Sequence, residues 1–495
     1  MTPGPAAQDA MQGAAVEPAA ALFHQGTAAL AAGDAAGAEA LWREALQHDP
    51  DLAEAHANLA LLLDQRGAPQ DALAHYALAS ALQPDNARIH LNHGALLAGQ
   101  KAHAEAEAAY LRALDCDPLL PGIWSNLGVL LALTWRDDEA ETCYRTALTI
   151  DPAHPGAHFN LACLLLRHGR YDEGWQHFET RDWYAAVQSR IQVPRWQGQP
   201  LAGASVLMVY EAGHGDMIQF CRYAPLLVQR GAAAVDMLCH PALQTLMATL
   251  PGLRAVMAYD QPWPTEGWDY WVPVMSLPSL FDTRLDTIPA ALPYLRAGDY
   301  PYAPWHDLLD TGSPSACRRV GLVWQGSAAF ENDAERSLPS LGVLAPLWQV
   351  PGLCFVSLQK GRGEQEVASL AATQPLLDMA PYLDDFADTA AVIGQLDLVI
   401  TVDTAVAHLA GALGKPCWVL LPAYMTDWRW LQAREDSPWY PGVMRLFRQA
   451  PGQGWLPVIT ALRDALSSWA VLNAPRPCPQ PGPATGPDDG SARSG

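Results

Sequence analysis

The sequence predicts an α-helical solenoid followed by two α/β halves, and three observations lead to that fold class. The first third of the chain repeats with a fixed period, and beyond residue 200 apolar strands alternate with helices. Short polar loops follow several of these strands. The chain of 495 residues is long enough for roughly three domains of about 150 residues each.

The N-terminal third is an array with a period of 34 residues. Proline, aromatic, asparagine, alanine and small-residue positions all recur at that spacing. The proline positions are Pro50, Pro84, Pro118 and Pro152, and the aromatic positions are Trp42, Tyr76, Tyr110, Tyr144 and Phe178. This pattern predicts pairs of helices with an aromatic ring wedged between them and a proline just past the second helix.

The period and its residues resemble the tetratricopeptide repeat, over residues 19–188 and about five repeats. Residues 1–18 are predicted to be a disordered N-terminus. The fifth repeat has no closing proline, so we expect it to merge into the next domain rather than end in solvent.

A solenoid of this kind presents a groove that usually binds a protein or peptide. One asparagine recurs in each repeat, at Asn58, Asn92, Asn126 and Asn160. In the similar repeats of protein O-linked sugar transferases such a ladder is suggested to bind an extended peptide backbone, which makes this groove a candidate acceptor site. The alternative is an ordinary consensus asparagine that caps or spaces the helix.

Composition limits the classes of function. A net charge of −22 argues against nucleic acid as a partner, because phosphate backbones bind basic surfaces. No run approaches the ~20 apolar residues of a membrane span. The first residues lack the basic region and apolar core of a signal peptide, and the cysteines form no CxxC pair. We therefore expect a cytoplasmic protein with neither a zinc site nor a disulfide framework.

The remainder of the chain predicts two Rossmann-like domains, at 189–310 and 311–474, followed by a disordered Pro/Gly-rich tail at 475–495. Strands that alternate with helices form parallel sheets covered on both faces. Two such halves leave a cleft between the carboxyl ends of their strands, where ligands usually bind.

Four polar loops are predicted at the carboxyl ends of strands. They contain Gly213, Gly215 and Asp216; Gln325, Gly326 and Ser327, with Arg336 beyond; Gln359 and Lys360; and Asp403 and Thr404, with His408 on the helix that follows. Each has a structural interpretation, since Asp216 and Thr404 can cap helices and His408 can be a half-buried polar residue. Four such loops at one edge favour a ligand site, because helix N-termini and lysine suit an anion.

The stretches "GHGDMIQFCRYAPLL", "GLVWQGS…ERSLP", "SLQKG" and "DLVITVDTAVAHLAGALGKPCWVLLP" together resemble the heptosyltransferase-like family, glycosyltransferase family nine, over about residues 200–450. The resemblance implies the glycosyltransferase-B fold, with an acceptor-side first domain and a nucleotide-sugar-binding second domain. It also implies inverting transfer that needs no metal or other cofactor, with the nucleotide-sugar as substrate.

Carried to single residues, the resemblance implies that Asp216 is the general base that deprotonates the acceptor hydroxyl. It places the other residues of the four loops around the donor. Among them, Asp403 and Thr404 would hold the sugar and diphosphate, and Lys360 and Arg336 would stabilise the departing nucleoside diphosphate.

The resulting expectation is a hexosyl or heptosyl transferase whose repeats recruit a protein or peptide acceptor. Two alternatives stay open. The acceptor is a cell-surface glycan or a lipid-linked saccharide in the first. In the second, the α/β half is inactive and the chain is a repeat-based scaffold.

Overall fold

The computed structural model describes residues 5–298, 305–312, 317–370 and 376–473. These residues form two compact units. Unit 1 comprises Met1–Asp182 with the short segments Asp282–Leu285 and Asp427–Gln432, and unit 2 comprises the rest of the chain. The tail predicted to be disordered, 475–495, lies outside the described residues.

Unit 1 is a run of antiparallel helix pairs. Its helices are α1 (Pro5–Ala31), α2 (Ala35–His48), α3 (Ala53–Gln65), α4 (Pro69–Leu82), α5 (Ala87–Gly99), α6 (His103–Cys116), α7 (Pro121–Leu133), α8 (Asp137–Ile150), α9 (Pro155–Arg167) and α10 (Tyr171–Phe178). The aromatic position of the repeat is at most 2% exposed in all five repeats. The predicted wedge between paired helices is therefore present in each one.

A further periodic position gives the repeat prolines a second role. The side chain six residues after each proline hydrogen-bonds that proline's carbonyl oxygen through a ring nitrogen. These bonds join His56 to Pro50, His90 to Pro84, Trp124 to Pro118 and His158 to Pro152, at 2.8–2.9 Å. Each bond fixes the turn between successive repeats to the start of the next helix.

The fifth repeat is covered by the two short segments of unit 1 that come from far along the chain. The indole nitrogen of Trp175 donates to the carbonyl oxygen of Thr283 at 2.8 Å. The rings of Trp175 and Phe178 both lie edge-on to Trp428. This last pair of helices consequently buries its aromatic side chains without a sixth repeat.

The ends of the repeat array differ from the sequence prediction. Helix α1 begins at Pro5, within the range 1–18 predicted to be disordered, while residues 1–4 lie outside the described residues. Its sequence is rich in alanine, the strongest helix former, which composition-based reasoning underweighted. Unit 1 ends at Asp182 rather than 188, because Tyr184 and Val187 pack into the apolar core of unit 2.

The first half of unit 2 is a four-stranded parallel sheet with the order β3-β2-β1-β4. Its elements are α11 (Ala185–Gln188), β1 (Ser205–Val209), α12 (His214–Phe220), α13 (Ala224–Gln229), β2 (Ala234–Cys239), α14 (Gln244–Met247), β3 (Ala255–Ala258), β4 (Tyr270–Pro273) and α15 (Leu277–Leu280). Strand β1 pairs with β2 from Ser205 opposite Ala234 and with β4 from Val206 opposite Tyr270.

The second half is a six-stranded parallel sheet with the order β10-β9-β8-β5-β6-β7. Its elements are α16 (Trp305–Gly312), β5 (Arg318–Val323), α17 (Asp333–Arg336), β6 (Leu353–Ser357), α18 (Glu364–Leu370), β7 (Leu376–Asp378), α19 (Phe386–Gly394), β8 (Leu398–Val402), α20 (Ala405–Ala412), β9 (Cys417–Leu421), β10 (Met444–Arg448) and α21 (Leu456–Leu472). Strands β8 and β9 are buried along their whole length, as expected of a sheet with both faces covered.

In both sheets the chain adds strands first on one side of the sheet's first strand and then on its other side. The second sheet has the doubly wound Rossmann order, in which β5 leads outward to β6 and β7 and the chain then returns to β8, β9 and β10 on the other side. The predicted fold class, a helical solenoid followed by two Rossmann-like domains, is confirmed. The sequence prediction missed β7, which has only three residues, and β10, an edge strand that contains two arginines among its five residues.

Lys101 occupies a turn position at which the other repeats mostly have glycine. Its φ is 60°, and the corresponding φ is 77° at Gly67 and 74° at Gly169. A side chain with a Cβ atom pays a steric cost in this left-handed region. Lys101→Gly should therefore stabilise unit 1 by about 0.5–1 kcal/mol in thermal unfolding.

Lys101→Ala is the matched control, because it removes the same side chain but keeps the Cβ atom. It should give no comparable gain. A melting temperature that falls for Lys101→Gly would show that the turn is not strained.

Candidate functional site

Three of the four predicted loops lie where the sheets reverse their winding, and the loop of Gln359 and Lys360 follows the neighbouring strand β6. In the first sheet, β1 lies between β2 and β4, and the loop that follows it contains Gly213 and Asp216. In the second sheet, β5 and β8 are neighbours and are followed by the loops of Gln325 and Asp403. Ligands of open α/β sheets bind outside the carboxyl ends of strands at such points.

Helices α12 and α20, which follow β1 and β8, pack directly against each other. A Cβ atom placed on Gly215 would lie 2.9 Å from Cδ2 of His408 and 3.6 Å from the Cα atom of Ala405. Only a residue without a side chain allows this approach. The structure thus brings the glycine-rich loop of the first half together with the predicted Asp-Thr-x-x-x-His segment of the second.

Asp216 lies in the first turn of α12 and is half-buried. Its Oδ2 atom accepts the backbone N–H of Gly213, the residue before α12, at 2.8 Å, so the carboxylate satisfies a backbone donor at the start of the helix. The structural role considered from the sequence is therefore real. The same hydrogen bond also fixes the orientation of the carboxylate at the carboxyl edge of β1.

Thr404 is the N-cap residue of α20, and its hydroxyl lies 3.0 Å from the hydroxyl of Thr401. Asp403 and Thr404 are half-buried. His408 is 6% exposed, and its Nδ1 atom lies 2.9 Å from the hydroxyl of Tyr440. The first N–H groups of a helix have no intrahelical acceptor, so this end of α20 can receive an anion.

Arg336 brings positive charge to the same place. One of its terminal nitrogens donates to the carbonyl oxygen of Asp403 at 3.1 Å, and its Nε donates to Asp333 at 3.2 Å. Asp333 is 3% exposed and also receives Arg362 at 2.7 Å. Gly326 lies against the guanidinium of Arg336. The buried carboxylate of Asp333, which the sequence analysis overlooked, therefore positions both arginines between the loops that follow β5 and β6.

The side chains of the two predicted glutamines form hydrogen bonds with backbone groups of the protein. Oε1 of Gln359 accepts the N–H groups of Trp324 and Gln325 at 3.0 Å, and its Nε2 donates to the carbonyl oxygens of Gln325 and Arg362. Gln325 in turn donates to the carbonyl of Leu338 at 3.1 Å. These side chains tie the loops after β5 and β6 together.

Ser327 and Lys360 lie on the exposed part of the loops. The hydroxyl of Ser327 accepts the N–H of Ala329 at 3.3 Å. The ammonium of Lys360 donates to the carbonyl oxygen of Ala380 at 2.7 Å, so it is directed toward the segment after β7. Of the two cations predicted for the diphosphate, Arg336 is the one that contacts the Asp403 loop.

Arg222 is the principal residue that the sequence analysis missed. It is 4% exposed and donates to the carbonyl oxygens of Gln219 and Trp439, both at 2.7 Å. Its guanidinium also lies 4.5 Å from the ring centre of Tyr294 and 4.8 Å from that of Tyr440. Because the Tyr440 hydroxyl bonds to His408, this buried cation connects the first half to the α20 segment.

The asparagine ladder lies in unit 1. Asn58, Asn92, Asn126 and Asn160 occupy the same position on α3, α5, α7 and α9, and all four are half-buried. Asn126 hydrogen-bonds the hydroxyl of Tyr110. A role for the ladder in binding an acceptor stays a prediction.

Membrane-spanning helices and metal-binding clusters bear on other functions. No helix among them combines the length and hydropathy that crossing a membrane requires. Within the same residues, no group of three or more His, Cys, Asp or Glu side chains is arranged to hold a metal ion. Metal-independent chemistry stays a prediction.

Comparison with family models places both parts of the chain. Models described as tetratricopeptide repeat match residues 29–95, 121–154 and 143–176. A model described as glycosyltransferase family 9 (heptosyltransferase) matches residues 347–420, which include the Asp-Thr-x-x-x-His segment. The chain carries tetratricopeptide repeats and a family 9 glycosyltransferase domain.

Known proteins resemble this chain in part. Protein FlbA of Caulobacter vibrioides is 32% identical over 333 residues, covering 61% of this chain. The chain spans 54% of the length of that relative. A structure of Pseudomonas aeruginosa pilF is 28% identical, with a TM-score of 0.32, and covers 34% of this chain and 76% of its own. A tetratricopeptide protein of Thermus thermophilus is 21% identical, with a TM-score of 0.31, and covers 34% of this chain and 96% of its own.

The close approach of α12 and α20 gives a sharp test. Alanine favours helices over glycine by about 1 kcal/mol. In Gly215→Ala, however, the new methyl group would clash with the buried ring of His408. That ring cannot move away without breaking its hydrogen bond to the Tyr440 hydroxyl. We expect the variant to destabilise unit 2 by about 1–3 kcal/mol in thermal unfolding.

Gly122→Ala is the matched control, since Gly122 also holds the second position of its helix and its nearest neighbour would be 3.7 Å from the new Cβ. It should be neutral or stabilising. Equal effects of the two substitutions would contradict the packing of α12 on α20.

Proposed function

We propose that the chain is a glycosyltransferase that moves a sugar from a nucleotide-sugar to a protein or peptide recruited by the repeats. Transfer inverts the anomeric centre, needs no metal and takes place in the cytoplasm. The observation that carries the proposal is the convergence of the Arg336 guanidinium and the start of α20 at the point where β5 and β8 separate.

The donor side of the proposal rests on charge and on backbone geometry. A nucleoside diphosphate is an anionic leaving group, and its departure is favoured by fixed positive charge and by unpaired helix N–H groups. Arg336 is held by Asp333 and by the carbonyl of Asp403, so little reorganisation is needed when the diphosphate binds. Thr404 occupies the N-cap position of α20 without a side-chain hydrogen bond to the helix, which leaves its first N–H groups to a ligand. The sugar is a hexose or a heptose.

The acceptor side rests on Asp216 and on the contact between the halves. The Asp216 carboxylate takes the proton from the acceptor hydroxyl. At the same time the hydroxyl oxygen attacks the anomeric carbon and the bond from that carbon to the diphosphate breaks. Attack from the face opposite the leaving group inverts the configuration. The loop of Asp216 lies against α20 through Gly215 and His408, which keeps the base beside the donor segment.

The repeats supply the acceptor in this proposal. Tetratricopeptide arrays bind polypeptides in their groove, and a tethered acceptor reaches a high effective concentration at a second site on the same chain. A scaffold without activity would have no need of a positioned Asp216 and Arg336.

We expect one nucleoside diphosphate to stabilise the protein in a thermal-shift screen of ADP, UDP, GDP and CDP and their sugar conjugates. A ligand at a hundred times its dissociation constant adds about 2.7 kcal/mol. Arg336→Ala should reduce that shift strongly, since it removes the cation beside Asp403 while Arg362 still pairs with Asp333.

Arg445→Ala is the matched control, because Arg445 is an exposed arginine on the edge strand β10 of the same sheet. It should leave the shift unchanged. A screen in which no nucleotide shifts the melting temperature would favour the scaffold over the enzyme.

Asp216→Asn should fold and bind the donor but lose transfer by about 10²–10⁴-fold, the usual contribution of a general base. The amide oxygen of asparagine still accepts the Gly213 N–H, so the loop should keep its shape. Transfer is measured by mass spectrometry of proteins that co-purify with the repeats, incubated with the nucleotide-sugar found in the screen. Asp260→Asn, at an exposed position of the same half, is the control. Full transfer by Asp216→Asn would remove Asp216 as the base.

A further inference from the structure

A cluster of rings lies at the carboxyl edge of the first sheet, beside the loop of Asp216. Tyr210, His240 and Tyr259 are the first residues after β1, β2 and β3 respectively, and His214 opens α12. Phe386, at the start of α19 in the second half, completes the cluster. We call these five residues the aromatic shelf.

The rings of the aromatic shelf touch one another in sequence. The ring centres of Tyr210 and Tyr259 are 4.6 Å apart, as are those of His214 and His240. Tyr210 meets His240 at 5.2 Å, and His214 meets Phe386 at the same distance. All five side chains are half-buried, so their inner sides are packed and their outer sides are accessible.

The aromatic shelf is supported from below. Tyr210 and Tyr259 pack against the core cluster of the first sheet, which contains Trp263, Trp268 and Trp271. Nε2 of His240 hydrogen-bonds the carbonyl oxygen of Ala212 at 3.1 Å, which ties the shelf to the glycine-rich loop. The surface is consequently fixed before any ligand arrives.

The imidazoles of the shelf carry no charge at neutral pH. Burial lowers the pKa of His214 to about 4, and the neighbouring His240 adds to the effect. Burial also lowers the pKa of His240, opposed in part by its bond to Ala212. The nearby Arg190 is held over the ring of Trp263 at 4.5 Å. An acidic ligand would therefore lose its hydration without gaining a cation on the shelf.

The outer edge of the shelf keeps polar groups available. Within the part of the chain that the structure describes, the hydroxyls of Tyr210 and Tyr259 and the ring nitrogens of His214 make no hydrogen bond. Rigid rings with polar tips of this kind offer large contact area at low entropic cost and are enriched where proteins recognise polypeptides.

We propose that the aromatic shelf binds the acceptor polypeptide, receiving an uncharged apolar or aromatic side chain next to the serine or threonine that takes the sugar. This inference rests on the proposed function, since the shelf adjoins the loop of Asp216. The repeats then determine which protein is bound, and the aromatic shelf determines which serine or threonine hydroxyl of that protein receives the sugar.

A glycan is the competing occupant, because aromatic faces also stack on sugar rings, but a firmly bound sugar needs hydrogen bonds to its hydroxyls as well. Sugar hydroxyls are bound most directly by carboxylates, amides and guanidinium groups, which can form paired hydrogen bonds. None of the five shelf residues has such a group. Tyrosine, histidine and phenylalanine instead suit a side chain packed on ring faces with a backbone amide at the tyrosine edge.

The test uses the full chain containing 3-fluorotyrosine and follows Tyr210 and Tyr259 by ¹⁹F NMR, with the two resonances assigned from Tyr210→Phe and Tyr259→Phe. The probes are synthetic peptides with one central serine flanked by Phe and Val, by Gly, or by Asp and Glu. The Phe/Val peptide should move both resonances, and the acidic peptide should move neither.

In the Tyr210→Ala/Tyr259→Ala variant, the affinity for the Phe/Val peptide should fall about fivefold or more, the scale of a lost aromatic contact. Tyr382→Ala, at a half-buried tyrosine outside the shelf, should leave the affinity unchanged. The two Tyr→Phe variants keep the rings and should lose less affinity than the alanine variant, which guards against a folding defect in the alanine variant.

Equal affinity for all three peptides, unmoved tyrosine resonances, or movement by maltopentaose in place of the peptides would overturn the shelf proposal. The nucleotide screen separates this failure from failure of the proposed function. If a nucleotide binds at Arg336 but no peptide binds at the aromatic shelf, the proposed transferase function survives and the shelf proposal fails.

Discussion

The contact between Gly215 and His408 is the constraint on which the candidate site depends. At this contact the helices that follow β1 and β8 are so close that one methyl group added to Gly215 would clash with His408. The loop carrying Asp216 and the segment carrying Asp403 therefore share one edge of unit 2. The Asp216 carboxylate comes from the first half and the Arg336 guanidinium from the second, and the contact brings their loops together.

The contact is maintained by a buried charge. Removing a guanidinium from water costs several kcal/mol unless its donors are satisfied. Arg222 meets that requirement with backbone carbonyls from both halves and with the faces of Tyr294 and Tyr440. The same arrangement directs the Tyr440 hydroxyl at His408. The residues that hold the halves together thus also orient the donor segment, and the aromatic shelf adjoins the Asp216 loop through His240 and Ala212.

The repeats and the placement of polar loops at the carboxyl edges of the sheets were predictable from the sequence, because both are encoded locally. A period of 34 residues is visible in the chain itself, and a polar loop after an apolar strand marks the carboxyl edge of a parallel sheet. The direction of single side chains was not predictable in the same way. Gln359 turns into the backbone and Lys360 toward Ala380 because of neighbours that periodicity does not reveal. Arg222 donates a hydrogen bond to the carbonyl oxygen of Trp439, 217 residues further along the chain, and no local sequence pattern indicates this pairing.

The central claim is that a nucleotide binds where the loops after β5 and β8 converge. Hydrogen–deuterium exchange of the full chain, with and without an excess of each nucleoside diphosphate, tests it most directly. The account predicts that one nucleotide slows exchange in residues 325–337 and 403–408 and leaves the repeats unchanged. A nucleotide that binds while those two segments exchange as before would contradict the account, and protection confined to unit 1 would place the ligand elsewhere.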